Sequence, residues 1–512
     1  MENTNKHYDS ASISNSLLHF MVGKGFKVIA SVSVLILLAR YMEESQYAVY
    51  VSFQALIFLI ALLSSAGFQG VLNRYLPELR ENGNNLSMYR LMVTGLSLRL
   101  ITLTGMMTVA LFFIPALSEW FNFQDWAWVL PWYFFVGAIR ISALSLSQSM
   151  ESLLWQKDAQ YSLAAGNIIR FFLVILFILF SKIDLVHVVI IEAITECMTL
   201  IYISYRFYRK WKNDEQKSVG NNTWWRENKK RVIRFGFLNY LVGQSTLLYG
   251  SAPNRLLLAS YLPSANLAVY GFADGFANLS RRIMPTRLLI GFIRPVFIAR
   301  YSSNNSFDQL NRMSNFIFRV NLMLIILPII LLLVLGEPIF SWLTAGKYGE
   351  SAYVLAAFLI LIIFESLYSQ LNLILQALEK NQITVVGNIL RSLSLFAAIP
   401  FLNSLGFWSL ILANMVGSIA AIGVVVIYLW NNHYHFKPDI SLIIINILYG
   451  FISGSLGWLV YEEWGSLVIS LFTMIISYVA LCLVKPPLYN DEKQKSKDLF
   501  LNSIRKNSNA KA

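Results

Sequence analysis

Gly166-Asn167-Ile168-Ile169-Arg170 and Gly387-Asn388-Ile389-Leu390-Arg391 are nearly one phrase written twice, each entering an apolar run long enough to cross a bilayer. A second echo has nearly the same offset: Leu38-Ala39-Arg40-Tyr41 followed by Ala48-Val49-Tyr50, and Leu258-Ala259-Ser260-Tyr261 followed by Ala268-Val269-Tyr270. Two echoes in register mark an internally duplicated membrane protein. The offset covers six candidate crossings. That number is even, so both copies keep the same orientation and their axis should run along the membrane normal.

Composition agrees. Hydrophobic residues make up 56 % of the 512 residues and charged residues 13 %, against roughly 25 % charged in soluble domains. A soluble class is excluded. At about 20 residues per span, apolar windows fall near 17–39, 47–67, 90–115, 127–149, 162–181, 185–205, 235–260, 266–293, 316–335, 352–377, 383–402, 405–430, 440–460 and 465–484. The expected fold class is therefore an all-α polytopic membrane protein of about fourteen transmembrane helices. Its parts are a six-helix lobe over 1–205, a basic cytoplasmic linker over 206–234, a parallel-related six-helix lobe over 235–430, two additional helices over 440–484 and a basic cytoplasmic tail over 485–512.

With the N-terminus inside, Lys and Arg concentrate in the cytoplasmic loops, leaving Arg40, Lys182 and Lys347 outside; the positive-inside rule fixes that orientation. Both termini are then cytoplasmic. The formal net charge of +13 is spread over loops beside an anionic leaflet, which points to topology and membrane lipids and not to nucleic acid. Trp120, Trp126, Trp128 and Trp132 cluster at an outer boundary as an interfacial belt.

No cofactor or metal is implied. Cys197 and Cys482 sit in separate apolar runs, and His433 and His435 lie in a short loop without Cys or carboxylate support. No phosphate-loop motif is present, and Gly23-Lys24-Gly25 lies in a span with no preceding strand, so nucleotide hydrolysis in this chain is not indicated.

What stands out is charge at membrane depth. Arg99, Arg140, Arg170, Arg255, Arg281 and Arg391 lie near the middle of their windows, and Lys24 and Lys27 share one face of the first. Six arginines facing lipid would cost roughly 18 kcal/mol at about 3 kcal/mol each, more than ordinary domain stability. They must meet water or partners. Acidic residues at comparable depth are fewer: Glu192 and Glu196, one turn apart, with Asp274 and Glu365. The excess predicts an electropositive interior suited to an anion, because guanidinium forks match phosphate oxygens. Two readings stand for Arg170 and Arg391: lining a cavity, or structural pairing with Glu192, Glu196 or Glu365. For the four carboxylates the alternatives are ion pairing and coupling to a proton or sodium ion. Lys24, Lys27 and Arg281 have snorkelling to an interface as their alternative. Asp274 lies in a small-residue stretch, Gly271 to Ala277, where helices pack closely or unwind.

Several ordered motifs then carry a resemblance. They are Leu38-Ala39-Arg40 with Tyr47-Ala48-Val49-Tyr50, Arg74-Tyr75-Leu76-Pro77-Glu78-Leu79, Val269-Tyr270-Gly271, Ala345-Gly346-Lys347-Tyr348 and Gln376-Ala377-Leu378-Glu379-Lys380. Over about 17–484 the chain resembles the polysaccharide transporter branch of the multidrug/oligosaccharidyl-lipid/polysaccharide exporter superfamily. The resemblance implies two six-helix lobes around a cationic cavity, alternating access, and an undecaprenyl-pyrophosphate-linked glycan such as an O-antigen unit as cargo in a bacterial cytoplasmic membrane. It also implies polysaccharide polymerase machinery as a neighbour, and the transport unit is expected to be monomeric. One departure is Asn254-Arg255, where many relatives place an acidic residue before the arginine. A cation-coupled multidrug antiporter and a lipid II flippase belong to the same superfamily and remain open. An integral membrane polymerase or ligase is disfavoured, because the external loops around 116–126 and 336–351 carry neither His nor Arg.

Overall fold

The computed structural model describes residues 10–81, 84–215, 224–288, 306–378 and 380–486. Parts of the expected linker (216–223) and eighth span (289–293), and nearly all of the tail, lie outside them. Every regular element among the described residues is a helix. In chain order they are α1 Ser10–Tyr41, α2 Glu44–Leu63, α3 Phe68–Glu81, α4 Asn85–Phe112, α5 Ile114–Trp120, α6 Leu130–Ser152, α7 Gln156–Phe180, α8 Leu185–Glu215, α9 Trp224–Gln244 and α10 Ser251–Tyr261. There follow α11 Ser264–Ile283, α12 Pro285–Leu288, α13 Phe307–Leu343, α14 Ser351–Ala377, α15 Asn381–Ala398, α16 Leu402–Leu405, α17 Trp408–Asn431, α18 Ile440–Trp464 and α19 Leu467–Val484.

The chain is thus an all-α, multi-pass membrane protein. Twelve spans among the described residues are long and apolar enough to cross a bilayer. The expected seventh and eighth spans are absent from that set for physical reasons. The seventh is not one helix but two, α9 and α10, with a break at 245–250 where Gly250 takes φ 111°. The eighth corresponds to α11, whose polar and charged residues, Asp274, Arg281 and Arg282 among them, lower its mean hydropathy. α11 runs unbroken through Gly271 and Gly275, which press on Val51 and Leu35; the small residues serve close packing and not unwinding.

Two compact units are distinguished, residues 1–275 with 392–410, and residues 276–391 with 411–512. In the first, α1 packs along α7, α6 and α7 along α8, and α2 against α10. The repeated Ala-Val-Tyr phrases are core in both copies: Ala48, Tyr50, Ala268 and Tyr270 are all buried. Tyr75, Leu76 and Leu79 of the Arg74-to-Leu79 motif are likewise buried, and Glu78 joins Arg74 at 3.1 Å and Arg231 of α9 at 3.4 Å. In the second unit α18 packs on α19, and α13 packs on α14 and on α18, where Gly450 and Gly454 let the helix approach Ile326 and Ile330 of α13. Trp120, Trp128 and Trp132 are exposed, as an interfacial belt requires.

The expected second span, read as ending near 67, also breaks. α2 stops at Leu63, Ala66 and Gly67 take φ 47° and 66°, and α3 follows. Helix ends leave carbonyls without partners, and in hydrocarbon each unsatisfied group costs several kcal/mol. Here four consecutive carbonyls receive side-chain donors. Ala61 O accepts from Arg99 Nη2 at 2.6 Å, Leu62 O from Gln244 Nε2 at 3.0 Å, Leu63 O from the Tyr240 hydroxyl at 3.2 Å and Ser64 O from Thr102 Oγ1 at 2.8 Å. A Cβ at Gly67 would collide with the Gly236 carbonyl oxygen of α9.

Candidate functional site

The membrane-depth charges gather into separate clusters, and the partners differ from one to the next. Within the first unit, α6, α7 and α8 bring four of the expected residues together. Arg140 bridges both acids of α8, with Nη2 at 2.6 Å from Glu192 and Nε at 2.7 Å from Glu196. Arg170 pairs with the other oxygen of Glu192 and donates to the Tyr50 hydroxyl at 2.7 Å. Tyr50 in turn donates to Glu192 at 2.6 Å, and Glu192 is fully buried. Two arginines face two carboxylates, so this set carries no formal excess charge. In the sequence Tyr50 stands out through the repeat and the Tyr47-to-Tyr50 motif; its polar role becomes visible once α2 and α8 are seen side by side.

A second pair lies on α10 and α11. Arg255 Nε donates to Asp274 at 2.8 Å and Nη1 to Gln54 at 3.3 Å, and Ser251 donates to the same carboxylate. Asn254 donates from Nδ2 to the Tyr270 hydroxyl at 2.9 Å. This set too is balanced.

Lys24 and Lys27 of α1 act electrostatically on Glu151 at the end of α6, a carboxylate that the sequence reading did not select. Glu151 accepts from Ser147 at 3.1 Å and Gln160 at 2.7 Å. The expected window ends at residue 149 and so leaves Glu151 outside it.

The second unit differs. Arg281, Arg287 and Arg391 converge on Glu365 of α14, at 3.0, 3.4 and 3.8 Å. Three guanidinium groups against one carboxylate give these four side chains a formal charge of +2. Arg391 also stacks over the Tyr368 ring at 4.9 Å and Arg281 over Phe358 at 5.7 Å. A small pocket beside them is lined by Thr286, Ser366 and Ser369, and the Arg287 side chain is 50 % exposed there. Arg287 lies inside the expected eighth window, 266–293, but near its end and away from the middle where the buried charges were sought.

The repeated arginines therefore share a register and not a partner. Gly166 abuts Thr199 and Gly387 abuts Tyr368, so neither has room for a Cβ and each lets its helix approach a neighbour closely. Yet Arg170 turns to the helix after it, α8, and Arg391 to the helix before it, α14. At the repeat offset of 221 residues, Glu192 corresponds to Ala413 and Glu365 to Leu144, so neither copy keeps the other's acid.

Arg99 stands apart. Its Nη2 caps Ala61 O at 2.6 Å and its Nη1 donates to Ser64 Oγ at 3.0 Å, at the negative end of the α2 dipole. This geometry gives it a helix-capping role. Arg99→Met should therefore lower the unfolding free energy of the purified protein by about 1–3 kcal/mol, with Arg99→Lys recovering part of it. An unchanged melting temperature together with reduced transport would instead make Arg99 a cargo ligand.

Residues 13–286 match the sequence profile of the polysaccharide biosynthesis protein family, and the chain belongs to that family. No curated protein matches it. Among solved structures it shares the fold of the lipid II flippase MurJ in an inward closed conformation, at 14 % identity and a TM-score of 0.66, over 91 % of this chain and 98 % of that one. An inward-facing multidrug resistance MATE family transporter of the MOP superfamily is similar at 14 % identity and a TM-score of 0.58, over 86 % and 98 %. The fold is thus shared with that flippase and that transporter.

Proposed function

We propose that this chain is a flippase, moving an undecaprenyl-pyrophosphate-linked oligosaccharide, the repeat unit of a surface polysaccharide such as O-antigen, across a bacterial cytoplasmic membrane. The observation that carries this reading is the convergence of Arg281, Arg287 and Arg391 on the single carboxylate of Glu365. A pyrophosphate is the chemical complement of such a set, since guanidinium forks bind phosphate oxygens in pairs. Without cargo, Glu365 serves as the counter-ion; phosphate oxygens arriving at Arg287 would compete for the same forks. The balanced sets around Glu192 and Asp274 hold helices together in this scheme, and no covalent bond is made or broken.

Two six-helix lobes alternating their access complete the proposal, with both termini cytoplasmic. A cysteine at exposed Asn213 should then resist an impermeant thiol reagent in intact cells, while one at exposed Glu350 should react; the opposite pattern would invert the topology. The function itself is tested in proteoliposomes. The purified chain should bring labelled lipid-linked oligosaccharide to the opposite leaflet without ATP. Exchange of cationic dyes for protons with no movement of the glycan would replace the proposal with the antiporter reading. The likeness to a structure named as a lipid II flippase makes a peptidoglycan precursor the second substrate to assay.

A further inference from the structure

Beside the break in the second span, α2, α3, α4 and α9 enclose a cavity of about 730 Å³ within the first unit, in the usual range for a ligand site. Its walls are largely hydrocarbon, with Leu63, Phe68, Leu98, Met106, Ile233 and Phe237 contributing. Two of its polar side chains are already engaged: the Tyr240 hydroxyl caps Leu63 O, and Thr102 caps Ser64 O. Little remains to hold a sugar or an ordered water, and an apolar occupant fits instead.

Glycine shapes the space. Gly95 lies against the Phe68 ring with no room for a Cβ, whereas Gly105, also on the wall, faces open space. The lining runs from Leu91 to Met106 on α4 and from Trp225 to Tyr240 on α9. Each stretch rises roughly 22 Å at 1.5 Å per residue, at least the depth of one leaflet's hydrocarbon, about 15 Å. The charge lies at one end. Arg226, Lys229, Lys230 and Arg234 are exposed on the first half of α9, with Glu227 the one acid among them, and exposed Trp225 stands where an interfacial aromatic belongs.

We propose that this groove holds an acyl chain of an anionic glycerophospholipid, its phosphate resting on the basic first half of α9 and its tail running toward Tyr240. The bound chain would brace α9 against the broken end of α2, whose Leu62 and Leu63 carbonyls α9 itself caps. Basic residues at a membrane surface attract anionic lipid, and the apolar wall supplies the rest. The site is separate from the arginines around Glu365, and its lipid is not the cargo, so it stands or falls independently of the transport proposal.

The test is lipid binding to the delipidated full-length protein, by native mass spectrometry and by thermal shift, with phosphatidylglycerol, phosphatidylcholine and undecaprenyl phosphate as probes. Phosphatidylglycerol should bind at least tenfold more tightly than phosphatidylcholine and raise the melting temperature. Gly105→Phe fills the open space without a backbone clash and should weaken phosphatidylglycerol at least tenfold. Replacing Lys229, Lys230 and Arg234 with Gln, all on the exposed face, should erode the preference by roughly fivefold per charge. Equal affinity for the two phospholipids, or full phosphatidylglycerol affinity in a well-folded Gly105→Phe variant, would overturn the proposal. So would tighter binding of undecaprenyl phosphate with the same sensitivity to Gly105→Phe, which would give the groove to the cargo's tail.

Discussion

Replacing Glu192 with alanine is expected to cost the protein about 3–5 kcal/mol, the usual penalty for removing one partner of a buried ion pair. Glu192 is fully buried and is the shared acceptor for Arg140, Arg170 and Tyr50. Without it two guanidinium groups remain at membrane depth with only Glu196 to answer them. Loss on that scale is a large part of a typical stability of 5–15 kcal/mol, so protein abundance should fall sharply in cells. Purified material should unfold at lower denaturant. The control is a variant in which Arg140, Arg170, Glu192 and Glu196 all become Met or Leu. Apolar replacement of a whole buried ionic set is often neutral or stabilising, so this variant should fold far better than Glu192→Ala alone. Wild-type stability in Glu192→Ala would mean that water, and not Glu192, solvates these arginines, and the cavity-lining reading of Arg170 would return.

The second large effect is expected in transport. Arg287→Ala should reduce glycan translocation at least tenfold while leaving the melting temperature nearly unchanged. Its side chain is half exposed and its contact with Glu365 is long, at 3.4 Å, so as a structural pair it contributes little. As a ligand for phosphate it would supply charged hydrogen bonds of about 1.5–3 kcal/mol, and 1.4 kcal/mol is a factor of ten. Arg391→Ala should be as damaging to transport and somewhat destabilising, since it also removes the stack on Tyr368 at 4.9 Å. Lysine at either position should restore charge but not the fork, giving partial rescue. Full translocation by the Arg287→Ala, Arg391→Ala double variant in proteoliposomes would remove this cluster from the cargo path.

Helical class, most span positions to within several residues, the exposure of three boundary tryptophans and the need for the buried arginines to find partners all follow from the sequence alone. Each rests on a local quantity, the hydropathy of a window or the cost of one charge in hydrocarbon, and local quantities survive without knowledge of the fold. Matched phrases such as Gly166 to Arg170 and Gly387 to Arg391 carry register in the same way, because close packing at a glycine is demanded at one point on a helix. The choice of partner is different. Nothing in the two phrases says that Arg170 turns to α8 and Arg391 to α14, because the acid that answers each arginine is fixed by which helix packs beside it. The breaks after Leu63 and Gln244 are equally hidden in the sequence, since both lie within windows apolar enough to be read as continuous, and it is the donors on α4 and α9 that add side-chain partners to all four carbonyls at residues 61–64. For the same reason the sequence alone leaves open what answers Arg99. A guanidinium at membrane depth has one requirement, acceptors; whether a carboxylate, a phosphate or the end of a helix meets it depends on what tertiary packing brings within about 3 Å.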